Sequence, residues 1–215
     1  MEKVNFYIDG FNLYYGMKSL KEQYEYYKRF YWLDFVKFFE HFIGNNQVLQ
    51  KVCYFTATPL NDNKANLQRL LLLANKLING NRFEIIKGQF YEKQLTCPIC
   101  KNIYNKPEEK RTDVNISVRM MGDCFLNNVD TIVLVCADSD LVPPLQFIKE
   151  HYPDKNIRVY FPPNISSSAL KSFMISCKKK AVFLENSIIK FSNSIMPDTV
   201  SKDGISYTIP DKWKI

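Results

Sequence analysis

Carboxylates stand at three separate points of this chain, and hydrophobic patterning brings each to the end or the start of a regular element. The clearest case is residues 131–145, TIVLVCADSDLVPPL, where seven mostly apolar residues run into Asp138-Ser139-Asp140. A run without polar alternation is the pattern of a central parallel strand buried on both faces. Ligands of open α/β sheets bind beyond the carboxyl ends of such strands, which is where these acids fall. Leu141 onward, with Pro143 and Pro144 early, reads as the following helix, because first-turn N–H groups lack partners anyway. Capping that helix would account for Asp140 and leave Asp138 unexplained. Asp-x-Asp alone is shared by phosphohydrolases, receiver domains, sugar transferases and nucleases, so its meaning depends on partners elsewhere.

The first partner follows a strand over Val4–Ile8, whose carboxyl end carries Asp9-Gly10-Phe11-Asn12. Gly10 permits a tight strand-to-helix turn, and the Asn12 amide can cap a helix or orient a water. Asp9 alone reads equally well as a turn or cap residue. The second partner is Asp113, in a helix with Thr112 as N-cap and Val114, Val118, Met121 and Phe125 as its inward stripe. Asp113 either complements the helix dipole or supplies a fourth carboxylate near the strand ends. Asp123 lies ~15 Å further along that helix and on a different side, outside this group.

The elements that must position these acids alternate strand and helix. Phe35, Phe38, Phe39 and Phe42 follow i, i+3, i+4, i+7 and form a helix face. Val48–Thr56 reads as the second strand, Asn61–Asn79 as a helix with Leu67, Leu70, Leu71, Ala74 and Leu77 inward, and Phe83–Phe90 as the third strand. Ile157–Phe161 is a further strand, a helix begins near Ala169, Ala181–Leu184 makes a short last strand, and Asp203-Gly204 turns a small hairpin. The pattern predicts an α/β fold with a central, mainly parallel sheet flanked by helices. Tyrosines around Lys28 and Arg29 either pack on that sheet or stack on unpaired bases. An irregular insert at about 91–111 holds Cys97-Pro98-Ile99-Cys100, half of a zinc site. No second pair follows at usable spacing and His41 and His151 are far off, so zinc there would need cysteines from another subunit. Otherwise this is a reduced loop turn.

A chain of 215 residues, 46% hydrophobic and 24% charged, can bury one substantial core, expected over residues 1–191 with a tail at 192–215. The six cysteines are scattered and suggest no disulfide framework. No apolar run approaches the ~20 residues of a membrane span, and a strand begins almost at the first residue, leaving no room for a signal peptide. The expectation is a cytoplasmic protein with no membrane partner. A net charge of +7 and a pI near 9.0 fit a polyanion. A metal ion between carboxylates and phosphate reconciles an acidic site with a basic chain.

Three motifs, in order, now carry a resemblance: FYIDGFNLYYG at 6–16, EEKRTDVNISVRMM at 108–121 and VLVCADSDLVPPL at 133–145. With them the chain resembles the NYN-domain proteins of the PIN-like nuclease superfamily, specifically their LabA-like branch. Weaker agreements are the C-x-x-C insert and the closing MPDTV...DG...IP...W pattern. The resemblance implies a Rossmann-like fold and an RNA-directed endonuclease dependent on Mg²⁺ or Mn²⁺. It places Asp9, Asp113, Asp138 and Asp140 on the family's acidic positions, and Asn12 and Ser139 on its polar partners. On that reading Asp9 and Asp138 ligate metal directly, Asp113 and Asp140 ligate or hold metal-bound water, and Asn12 and Ser139 orient water or phosphate. Lys110, Arg111 and Lys171 form the basic rim for RNA, single-stranded or structured, or else are solvated surface charge. Two departures stand out: Arg119, where relatives often have Asp, and lysines before the last strand, where relatives often carry an acid.

Two other readings remain. One is a catalytically silent RNA-binding or protein-interaction module that kept the fold, with homo-oligomerisation open. The other, a haloacid-dehalogenase-like phosphatase, wants Asp-x-Asp after the first strand, where this chain has Asp9-Gly10-Phe11.

Overall fold

The computed structural model describes residues 1–215, apart from the side chains at 106 and 107. β1 (Glu2–Asp9) leads into α1 (Gly10–Gln23), and a 3-10 segment at Glu25–Trp32 into α2 (Phe35–Glu40) and β2 (Gln47–Thr56). There follow α3 (Asp62–Asn79), β3 (Phe83–Lys87), β4 (Gln89–Thr96), β5 (Ile103–Lys110), α4 (Thr112–Phe125) and β6 (Thr131–Val135). The chain continues through α5 (Val142–His151), β7 (Asn156–Phe161), α6 (Ser168–Ser176), β8 (Val182–Phe183) and α7 (Ile188–Asn193). It ends in β9 (Thr199–Lys202) and β10 (Ile205–Thr208).

Six strands form one parallel sheet in the order β3-β2-β1-β6-β7-β8. The order reverses between β1 and β6, which pair with Val4 opposite Thr131 and Ile8 opposite Val135. Beyond their carboxyl ends lies the crevice such a reversal opens. β1 over Phe6–Ile8 and β6 over Ile132–Val135 are hydrophobic and buried because both faces are covered. Val4, Phe6, Ile8, Val133 and Val135 enter one core with α1–α3, while Tyr7, Ile132 and Leu134 enter a second with α4–α6. Each such side chain contributes about 1.5–3 kcal/mol of burial.

The first core is dense in aromatic rings, with Phe6 on Phe39 at 4.4 Å and Phe38 on Phe191 at 4.3 Å. The C-terminal hairpin closes it: Trp213 stacks on Tyr31 at 5.6 Å, and Trp32 Nε1 donates to the Pro197 carbonyl at 2.8 Å. The tyrosine-rich stretch serves this packing through Tyr31 and through Tyr27, which stacks on Phe30 at 4.9 Å. Tyr24 and Tyr26 stay exposed.

Four sequence expectations are corrected. The third strand ends at Lys87 rather than Phe90, and the insert is no irregular loop: β4 and β5 form an antiparallel ribbon. Gly88 is the pivot, since a Cβ there would lie 2.7 Å from Glu109 Oε1 and 2.7 Å from Thr112 Oγ1. The inward face of α4 is Ile116, Met120 and Cys124, whereas Val114, Val118 and Phe125 are 63%, 61% and 76% exposed. Both sets recur at helical spacing, and the polar residues choose between them, because Thr112, Asp113, Arg119 and Asp123 lie on the Ile116 side. Finally, Thr112 is the first residue of α4 rather than its N-cap, which is Arg111; Glu109 Oε1 accepts the Thr112 N–H at 3.2 Å and also its hydroxyl.

Candidate functional site

β1 delivers Asp9 into the crevice nearly buried, at 4% exposure. Its Oδ1 accepts the N–H groups of Phe11 at 2.9 Å and Asn12 at 3.0 Å, so Asp9 is the N-cap of α1. Oδ2 accepts the Asn12 amide and the Cys136 thiol, the latter at 3.3 Å. Burial pushes that thiol well up, keeping it protonated as a donor. Gly10 lets this turn sit against β2: a Cβ there would lie 2.5 Å from the Tyr54 ring and 2.7 Å from the Phe55 carbonyl.

β6 delivers the other acids from the adjacent strand end. The Ala137 N–H donates to Asn12 Oδ1 at 3.1 Å, and the Asp138 N–H to Cys136 Sγ at 3.1 Å, so the two strand-end turns are stitched together. Asn12 thereby spends both ends of its amide as a brace between Asp9 and Ala137. Asp138 Oδ1 accepts the Asp140 N–H at 2.9 Å and caps the short turn Ser139–Leu141. The capping acid is therefore Asp138, not Asp140; Asp140 sits within the turn, exposed, as does Ser139. Pro143 and Pro144 occupy the first turn of α5 as expected.

Asp113, in the first turn of α4, joins the same electrostatic field. Burial, then the charges of Asp138, Asp9, Glu109 and Asp140, raise its carboxyl to about 6. Asp9 is raised as well, by burial first and also by Asp138. Three elements thus bring Asp9, Asn12, Asp113, Asp138, Ser139 and Asp140 to one sheet edge. Glu109 joins them and was not singled out in the sequence, where a capping box would place the threonine first and the acid three residues later. Among the described residues no three His, Cys, Asp or Glu side chains are close enough to enclose an ion.

The basic residues divide. Lys110 pairs with Glu108 at 2.9 Å. Arg111 takes a left-handed backbone, φ 80°, and donates to Tyr91 Oη at 3.1 Å. Lys171 lies over the rings of Phe183 and Phe161 and donates to Ser166 Oγ at 2.8 Å. Arg119 is engaged away from the acids. It grips both oxygens of Glu84, at 2.8 and 3.0 Å, and Asp123 at 2.9 Å, and Asp123 also accepts the Tyr7 hydroxyl at 2.8 Å.

A family model described as the NYN domain matches residues 3–177. The chain belongs to the NYN domain family. That family lies in the PIN-like superfamily, and its domains are typically ribonucleases. The NYN chain is also 29% identical over 194 residues to the 6-hydroxy-3-succinoylpyridine 3-monooxygenase HspA of Pseudomonas putida, covering 74% of this chain. It spans 59% of that relative's length. Among solved structures it is similar to a protein of unknown function from Vibrio parahaemolyticus, with a TM-score of 0.49 and 18% identity over 85% of this chain and 93% of that one. No helix among the described residues is long and apolar enough to cross a membrane.

Proposed function

We propose that this NYN protein is a divalent-metal-dependent endoribonuclease whose reaction centre is the sheet edge shared by Asp9, Asp113, Asp138 and Asp140. The observation that carries the reading is that three elements bring these acids to one crevice, where burial first, and then the charges of Asp138, Asp9, Glu109 and Asp140, raise the Asp113 carboxyl to about 6. Such a field favours a cation and, without one, would repel a phosphodiester.

The residues fit Mg²⁺ or Mn²⁺ in a particular way. Their donors are hard oxygens, but no three enclose an ion, so the fit is to a cation held by one or two carboxylates and completed by water and substrate phosphate. Asp138 and Asp113 are the ligands of choice, with Asp140 at the open rim. Asp9, whose oxygens already accept four hydrogen bonds, holds the wall and the position of Asn12. When bound, the cation lowers the pKa of an attacking water and neutralises charge on the phosphate. On this reading Ser139, exposed beside Asp138, donates its hydroxyl to a phosphate oxygen. Lys110, Arg111 and Lys171 draw the RNA backbone in.

The test is cleavage of labelled single-stranded and hairpin RNA with Mg²⁺, Mn²⁺ or EDTA, comparing the wild type with Asp138→Asn. Metal-dependent cutting reduced by about 100-fold or more in the variant supports the reading. Binding without cutting by either protein would favour a silent RNA-binding module.

A second reading rests on the similarity to the Pseudomonas monooxygenase. A monooxygenase consumes O₂ and two electrons, so oxidation of a reduced nicotinamide that depends on an added hydroxypyridine would favour it over RNA cleavage.

A further inference from the structure

Among the described residues the β4–β5 ribbon contributes none to either core, yet its tip is built in detail. Pairing runs from Gln89 opposite Lys110 to Thr96 opposite Ile103, which puts the tip ~24 Å from the base. There the Cys97 N–H donates to the Asn102 carbonyl at 2.9 Å, and the Lys101 N–H to the Cys97 carbonyl at 3.0 Å. The turn closes through Lys101 in a left-handed conformation, φ 61°, directly after the second cysteine. Both cysteines are free, Cys97 half-buried and Cys100 exposed. The N–H groups of Cys100 and Ile99 point at the Cys97 sulfur. Successive amides directed at one atom stabilise an anion there.

A C-x-x-C turn of this kind presents two thiolates for tetrahedral zinc, and a structural zinc takes four ligands. Among the described residues no third His, Cys, Asp or Glu completes the pair. A twofold-related second tip supplies two identical thiolates and closes the count. The same contact would cover Ile99, 90% exposed, together with the exposed Ile103 and Tyr104. It would also anchor a two-stranded ribbon, which is marginal by itself.

We propose that Cys97 and Cys100 form half of a tetrahedral zinc site that a second copy of this chain completes with its own equivalent pair, joining two ribbons tip to tip. Binding displaces the thiol protons into solvent and changes no oxidation state. The proposal stands independently of the nuclease reading.

The test uses the full chain, phosphine-reduced and metal-free, titrated with Zn²⁺ or Co²⁺ while metal uptake and mass are followed by sedimentation. The expected end point is one metal per two chains, with mass doubling in step and visible absorption of a tetrahedral cobalt thiolate. Cys97→Ser and Cys100→Ser are expected to lose dimerisation and to weaken uptake by about 100-fold or more while keeping the wild-type circular dichroism. Asp138→Asn is expected to keep both, separating this site from the acidic crevice. Uptake of one zinc per chain without dimerisation would overturn the proposal. So would a dimer that persists in EDTA, or a Cys97–Cys100 disulfide forming in air in a protein that takes up no zinc when reduced.

Discussion

At Asp113 burial and neighbouring charge oppose ionisation, raising the carboxyl from 3.8 to about 6. Between those values the folded state binds more protons than the unfolded chain, so stability falls as pH rises from about 4 to 6 and stays lower at neutral pH. Asp113→Asn removes that repulsion. In EDTA it is expected to be more stable than the wild type by about 1 kcal/mol at pH 7, discounted for partial solvent screening, with the gain gone below about pH 4. Thermal unfolding at both pH values checks this, and an equal gain at both would assign the effect to packing instead. The acids themselves were legible in the sequence because each follows or precedes a patterned run. Their division of labour was not, since capping depends on local backbone angles: Asp138 is extended, with ψ 129°, and takes the cap that spacing offered to Asp140.

At the scale of elements, α4 shows where a pattern underdetermines a fold. Val114, Val118, Met121 and Phe125 recur as regularly as Ile116, Met120 and Cys124, and periodicity cannot choose between two apolar stripes. The choice rests on long-range polar partners, chiefly Glu84 on β3, which no local window contains. Arg119 joins the two elements and holds Glu84 down to about 2, chiefly by hydrogen bonding. This pairing adds stability above about pH 4.5 that is lost as pH falls toward 2. Arg119→Ala leaves the buried Asp123 without its cation and is expected to cost about 2–3 kcal/mol at pH 7, less in acid. Urea unfolding at pH 7 and pH 3 would show it, and a pH-independent loss would refute the ion-pair account. The ribbon was hidden for a related reason: its strands are mostly exposed, so they lack the alternation by which a half-buried strand is read.

At the scale of the whole molecule, the parallel sheet was readable because its central strands are apolar on both faces, and the crevice follows from where the strand order reverses. The role of the last residues was less visible, since a short hairpin and one tryptophan carry little pattern by themselves. They supply Met196, Val200, Ile209 and Trp213 to the first core. Trp213→Ala is expected to destabilise the protein by about 3 kcal/mol, measured by urea unfolding. A loss below about 0.5 kcal/mol would mean that the tail rests on the core without supporting it. Trp32 and Trp213 are the two tryptophans of the chain, and their rings lie 6.2 Å apart at that one seam. The ultraviolet emission of this protein is therefore a local gauge: a spectral change that precedes loss of helical signal during unfolding would time the release of the C-terminal segment.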